Sequence, residues 1–146
     1  MLPKHILVPV DFLETSTKAL DYALDLAAKV GAEVTALHAY VIPVVGFPDG
    51  ALIATAEMAS RILDASQKAL QELIEPRKAR GVKIHVLLHQ DEPRTAVLKV
   101  CKEVGADLIV MGTHGRSGLP RALLGSVAEG VLRRADVPVL ILRGPE

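Results

Sequence analysis

Short unbroken apolar runs alternate with runs whose apolar residues recur every three to four positions, from His5 almost to the last residue of the chain. Few architectures tolerate that alternation. A strand followed by an amphipathic helix, repeated, folds as βαβ units with parallel strands and right-handed crossovers. His5–Val10 reads as a first strand. Ala19, Leu20, Ala23, Leu24, Ala27 and Val30 then mark a helix, with Thr15 or Ser16 as its N-cap and Gly31 as its stop. Val34–Tyr40 is a second strand, leading into a loop marked by Pro43, Gly46, Pro48 and Gly50. In the second helix Ala59, Ile62, Leu63, Ser66, Ala69, Leu70, Leu73 and Ile74 share a face, and Pro76 ends or kinks it at Glu75. A third strand, from Val82 to Leu88, alternates in a way that suits a sheet edge. A helix over about Arg94–Val104, a fourth strand over Asp107–Gly112, a short helix over about Ser126–Arg134 and a fifth strand over Val137–Leu142 complete the pattern. Pro138 cannot donate to a ladder, so the fifth strand is the other edge. The expected fold is one α/β domain over residues 1–146: an open five-stranded parallel sheet in the flavodoxin/Rossmann-like order 3-2-1-4-5, with helices on both faces.

Composition fits this and removes other classes. Half of the 146 residues are hydrophobic but only 3% are aromatic, so Val, Ile, Leu and Ala must build the core, as they do in parallel sheets covered by helices. Seventeen basic residues balance 17 acidic ones, which leaves no global field for nucleic acid, and the scarcity of rings disfavours base stacking. Cys101 is the only cysteine, so no internal disulfide forms, and a reducing, cytoplasmic setting is expected. The apolar run before Asp11 is too short for a signal-peptide core. The uncharged stretch Val34–Pro48 is interrupted by prolines, so no membrane span is expected either.

In such a sheet a ligand binds outside the carboxyl ends of the strands where the winding reverses, here between the first and fourth strands. The first strand delivers Asp11 to that place. The fourth delivers a glycine-rich stretch, Gly112, Gly115 and Gly118, with Gly125-Ser126 opening the next helix. Glycines let backbone approach an anion, and helix N-terminal amides favour one. Four arginines (Arg116, Arg121, Arg133, Arg134) against Glu129 make this end locally basic. Glycines after a strand are by themselves only loop geometry, and Asp11 alone could be a helix cap; their convergence on the winding reversal favours a phosphate site. His114 lacks a partner carboxylate in the sequence. His5, His38, His85 and His89 are expected to be packed or solvated, Cys101 to be a buried thiol, and Arg77, Lys78 and Arg80 to form a solvated helix end.

The spacing Gly112-x2-Gly115-x9-Gly125-Ser126 resembles the ATP-binding motif of the universal stress protein family. Strand sequences agree with it along the whole chain: Ile6-Leu-Val-Pro-Val-Asp11-Phe12, Leu37-His38-Ala39, Asp107-Leu-Ile-Val-Met-Gly-Thr-His-Gly115 and Val137-Pro-Val-Leu-Ile141. The resemblance implies a nucleotide-dependent stress-response sensor or switch that binds ATP with Mg²⁺ or Mn²⁺. It implies that Pro9 and Val10 line the base pocket, that Asp11 lies beside the ribose and the metal ion, and that Ala39 presents backbone to adenine. It further implies that Met111 and Gly112 floor the pocket, that Gly115 and Arg116 meet the phosphates, and that Gly125, Ser126 and Val127 close the cradle. A homodimer through the fifth strand, Val137–Leu142, is implied as well.

The chain departs from the family pattern twice. Phe12-Leu13 follows Asp11 where many relatives carry a serine hydroxyl, and Asp91-Glu92-Pro93 replaces a Gly-x-Pro turn, setting two carboxylates near the crevice rim. No lysine sits within the glycine motif, so fast phosphoryl transfer is not expected. Rival readings are a slow ATPase or autophosphorylating enzyme, with Thr113, Ser117 or Ser126 as acceptor, and a nucleotide-free dimeric interaction module.

Overall fold

A computed structural model of the chain describes residues 1–48, 52–53, 56–113 and 124–144. Its strands are β1 (His5–Pro9), β2 (Glu33–Tyr40), β3 (Val45–Gly46), β4 (Leu52–Ile53), β5 (Ile84–Gln90), β6 (Leu108–Gly112) and β7 (Val139–Leu142); its α-helices are α1 (Glu14–Val30), α2 (Ala56–Ile74), α3 (Pro93–Val104) and α4 (Ser126–Arg134). The main sheet is parallel throughout, in the order β5-β2-β1-β6-β7. Counting only its own strands, that is the expected 3-2-1-4-5. One departure from the expected loop is a short antiparallel pair, Val45 opposite Ile53 and Gly46 opposite Leu52.

Period-2 alternation in the central strands splits the core into two layers. Ile6, Val8 and Val10 with Val34, Ala36 and Val110 pack under Ala19, Leu20, Ala23 and Leu24 of α1 and Leu70 and Ile74 of α2. Leu7, Leu37, Ile109 and Met111 face the other way, against Val97 and Val100 of α3 and Ala128 and Val131 of α4. Such two-sided burial explains why these strands read as continuous apolar runs. Cys101 is buried in the second layer as expected. Burial pushes its thiol pKa up, and the negative charges of Asp136 and Asp107 add to the effect.

The element ends follow local chemistry. Gly31 takes φ 74° and returns its N–H to the Ala27 carbonyl, closing α1 in a left-handed cap that a side chain would strain. Pro76 stops α2 at Ile74, after which Glu75–Arg80 continues as a 3₁₀ turn. The edge strands begin later than expected, at Ile84 rather than Val82 and at Val139 rather than Val137, although the Pro138 carbonyl still accepts the Ile109 N–H at 3.0 Å.

Two side-chain arrangements differ from the sequence reading. Arg77 and Arg80 are not a solvated end: Arg77 grips the Asp21 carboxylate through Nε (2.8 Å) and Nη2 (3.1 Å) and donates to the Leu73 carbonyl, while Arg80 bonds Asp21 and Asp25. They tie the end of α2 to α1. Asp107, at the entry to β6, accepts the backbone N–H groups of Lys4 (3.0 Å) and His5 (3.0 Å), which locks the beginnings of the two central strands together. Burial pushes its pKa up, but these hydrogen bonds and the nearby His5 outweigh that and hold it below the ordinary carboxyl value.

Candidate functional site

The site grows from the turn between β1 and α1. After Pro9 the chain makes one last rung, Val10 N–H to the Leu37 carbonyl (2.8 Å), and then leaves the sheet. Phe12 takes φ 66°, a left-handed conformation that is uncommon for an aromatic residue. Its ring lies on His38 with centroids 4.4 Å apart, and His38 Nδ1 donates to the Val10 carbonyl at 2.8 Å. These contacts hold the turn in its strained form. Neither Thr15 nor Ser16 is the N-cap of α1, as the sequence suggested; Leu13 occupies that position without a side-chain cap bond. Asp11 supplies the missing oxygen. Its Oδ1 accepts the Leu13 N–H (2.9 Å) and the Ser16 hydroxyl (2.7 Å), and Ser16 Oγ accepts the Asp11 N–H (3.1 Å). The cap and site readings of Asp11 are therefore compatible: one carboxylate oxygen organises the turn, and the residue stays exposed at the crevice.

Opposite, β6 ends in Met111, Gly112 and Thr113. The Thr113 N–H bonds the Leu142 carbonyl at 3.0 Å, which fixes the exit of this strand against β7. Gly112 is required by close approach: a Cβ there would stand 2.5 Å from Cγ2 of Thr15. Helix α4 opens at Ser126 with buried Gly125 in the extended conformation before it, so the first amides of the helix face the same crevice.

These segments enclose a cavity of about 440 Å³. Pro9, Val10, Asp11, Ala39, Met111, Gly112, Gly125, Ser126 and Val127, all singled out from the sequence, line it together. Gly115 and Arg116, with His114 and Ser117, lie outside the described residues. The sequence missed Leu13, Ser16, Leu37, Pro93 and Val97 as lining residues, and singled out Thr113 only as a phosphoryl acceptor. Leu37 was within reach of strand alternation, since it shares a face with Ala39; Pro93 and Val97 enter only because α3 packs across the crevice. Part of the positive charge expected at this end lies elsewhere. Arg133 and Arg134 sit in the last turn of α4, far from its amide end, and Arg133 closes on Glu129 at 2.8 Å.

The cavity walls are apolar, and its polar groups converge from Asp11, Ser16, Thr113 and the α4 amides. One further group belongs with them. Beyond the Val10–Leu37 rung no ladder bond joins Ala39 to the segment after β1, and the Val10 carbonyl accepts from His38 instead; the Ala39 backbone at that side opens on the cavity. For a metal, the donor set is thin. Among the described residues no cluster of three or more His, Cys, Asp or Glu could hold an ion. The second oxygen of Asp11 suits Mg²⁺ or Mn²⁺ only if ligand phosphates and water complete the shell. Also among the described residues, no helix is long and apolar enough to cross a membrane.

Fold and crevice define a doubly wound α/β protein with a cavity at the switch point of its sheet, where such folds take their ligands. The universal stress protein family model matches residues 3–143, and the chain belongs to that family. It is 38% identical to universal stress protein MJ0531 of Methanocaldococcus jannaschii, over 99% of this chain and 85% of that one. Among solved structures, protein MJ0577 of the same organism superposes with a TM-score of 0.82 at 24% identity, covering 100% of this chain and 99% of its own, which shows the shared fold. A universal stress protein solved in complex with cAMP superposes with a TM-score of 0.72 at 28% identity, covering 98% of both chains.

Proposed function

We propose that this protein binds an adenine nucleotide, ATP accompanied by Mg²⁺ or Mn²⁺, in the cavity between β1 and β6, and that it acts as a nucleotide-dependent switch in a stress response. The observation that carries the reading is the pairing of an open backbone edge at Ala39 with an apolar slot between Pro9, Val10 and Met111. Adenine fits such a slot: its flat ring needs apolar walls, and its Watson–Crick edge needs one backbone donor and one acceptor. At the other end, phosphates would meet the α4 amides and Ser126, with Gly115 and Arg116 assigned to them by the sequence motif. Asp11 would take the ribose hydroxyls or a phosphate-bound cation with its free oxygen. The likeness to the cAMP-bound relative supports an adenine ligand of this general shape. A cytoplasmic location suits the reduced, buried Cys101, and the homodimer contact is assigned to Val137–Leu142.

Identification of the nucleotide released on denaturing freshly purified protein, followed by calorimetry with ATP, GTP and Mg²⁺, tests this. ATP should bind and GTP at least tenfold more weakly. Equal affinities would remove the base slot, and no heat at millimolar ATP would remove the nucleotide reading.

A further inference from the structure

The two edges of the sheet are protected very differently. β7 is 4 residues long, is preceded by Pro138 and has every residue at least partly buried. β5 is 7 residues long, Ile84-His-Val-Leu-Leu-His-Gln90, and holds no charged residue, no proline and no glycine. Val86 and Leu87 are 44% and 36% exposed. Natural sheets blunt such an edge with charges, proline or a bulge unless something pairs with it.

Ladder parity shows which groups are open. The Lys83 carbonyl accepts from Val34 and the Asp91 N–H donates to Tyr40, so odd-numbered residues of β5 bond β2. Ile84, Val86, Leu88 and Gln90 therefore turn their N–H and C=O groups to the free edge, where no partner faces them among the described residues. Behind that edge runs a groove of about 570 Å³, floored by Val86 and Leu88 and walled by Leu70 and Ile74 of α2.

We propose that β5 is a self-pairing edge, on which a second copy of this chain lays its own β5 antiparallel about a two-fold axis at Leu87. In that register the charges at the two ends of the strand are complementary. Ile84 meets Gln90 of the second copy and Val86 meets Leu88, each a pair of outward-bonding residues, as antiparallel pairing requires. His85 meets His89. At both ends Lys83 of one copy faces Asp91 of the other. Neither charge is firmly held at home: Lys83 is 4.0 Å from Glu33, and Asp91 is 4.0 Å from His89 while its other oxygen caps the Glu92 N–H. Moving the axis by one residue either way loses the Lys83–Asp91 pairs and leaves part of the strand unpaired. In an isologous contact each such pair occurs twice, so the Lys83–Asp91 match at one end is repeated at the other. The edge lies across the sheet from Val137–Leu142, so a chain paired at both edges assembles beyond the dimer, and the contact does not depend on nucleotide.

Cysteine cross-linking reads the register directly. On the axis Leu87 pairs with itself at a Cα separation of about 4.5 Å, within the span of a disulfide. Under mild oxidation, Leu87→Cys should give mostly disulfide-linked dimer, whereas Gln90→Cys, whose copies would stand about 20 Å apart, should stay unlinked. Buried Cys101 does not compete. Sedimentation supplies the second arm. With Val139→Lys and Ile141→Lys blocking the β7 edge, the protein should still dimerise at micromolar concentration. Adding Lys83→Asp should weaken that dimer at least tenfold, and adding Asp91→Lys as well should restore it. Equal cross-linking at both cysteines, none at Leu87→Cys, or a monomer in the β7-blocked background would each overturn the proposal.

Discussion

Replacing Gly112 by alanine tests how β6 and α1 are fitted together. The new methyl would lie 2.5 Å from Thr15 Cγ2 and 3.1 Å from the Thr15 backbone carbonyl. Ordinary carbon contacts begin near 3.5 Å, so the overlap with the methyl is about 1 Å and that with the backbone a few tenths. Thr15 is buried in the first turn of α1 and cannot swing away, so the turn itself must move. Overpacking of this kind costs about 1–3 kcal/mol. For a chain of this size that lowers Tm by roughly 3–10 °C, measured by calorimetry or urea denaturation. The cause can be isolated, because most of the overlap is with one methyl group. Thr15→Ser alone should cost about 1 kcal/mol for the lost methyl. In the double variant it should recover most of the Gly112→Ala loss, giving a favourable coupling of about 1–2 kcal/mol. Additive losses, or a Gly112→Ala protein as stable as wild type, would refute the assignment of Gly112 to close approach.

Asp107→Asn should destabilise by about 1 kcal/mol at neutral pH, in the range of a lost capping bond. Because the folded-state pKa is depressed, the carboxylate's contribution is complete above the ordinary value of 3.8 and fades as pH falls through the lower folded value, so the gap between variant and wild type should close in acid. A gap independent of pH would refute the charge-assisted tie. Arg77→Ala should cost about 1–2 kcal/mol in denaturant titrations, and Arg77→Lys should recover little, since the paired bonds to Asp21 need a planar fork. Full recovery by lysine would reduce the contact to simple charge attraction. Cys101 should react with alkylating agents far more slowly in the folded protein than in denaturant, its thiol being buried with a raised pKa; equal rates would mean that the second core layer opens readily.

Periodicity carried the fold because each central strand meets helices on both sides, and two-sided burial writes itself as unbroken apolar sequence. Pro76 and Pro138 were legible for a different reason: a missing N–H acts locally and does not wait for tertiary structure. The arrangements that escaped depend on residues far apart in the chain. Nothing near Asp107 announces that it will cap Lys4 and His5, and nothing near Arg77 announces Asp21. At the site, Asp11 and Gly112 could be read from strand ends at the switch point, whereas Pro9 and Val10 came only from the family resemblance; all four line the cavity. Pro93 and Val97 were not found, because they reach the cavity through the packing angle of α3. Ser16 was noticed as a possible cap, yet its bond to Asp11 follows from the left-handed turn at Phe12, which no pattern of residue types predicts.

That turn bears on how binding would proceed. A side chain free to rotate must give up its rotamer freedom when it grips a ligand, at a cost of about 0.5–1.5 kcal/mol. Asp11 is already fixed by the Leu13 N–H and the Ser16 hydroxyl, both from its own turn, before any ligand arrives. Its second oxygen is thus preorganised, with the left-handed Phe12 as the spring that sets the aim. Ser16 lines the cavity as well, so Ser16→Ala would both release the Asp11 carboxylate and remove one hydroxyl from the site, and would weaken binding through the two together.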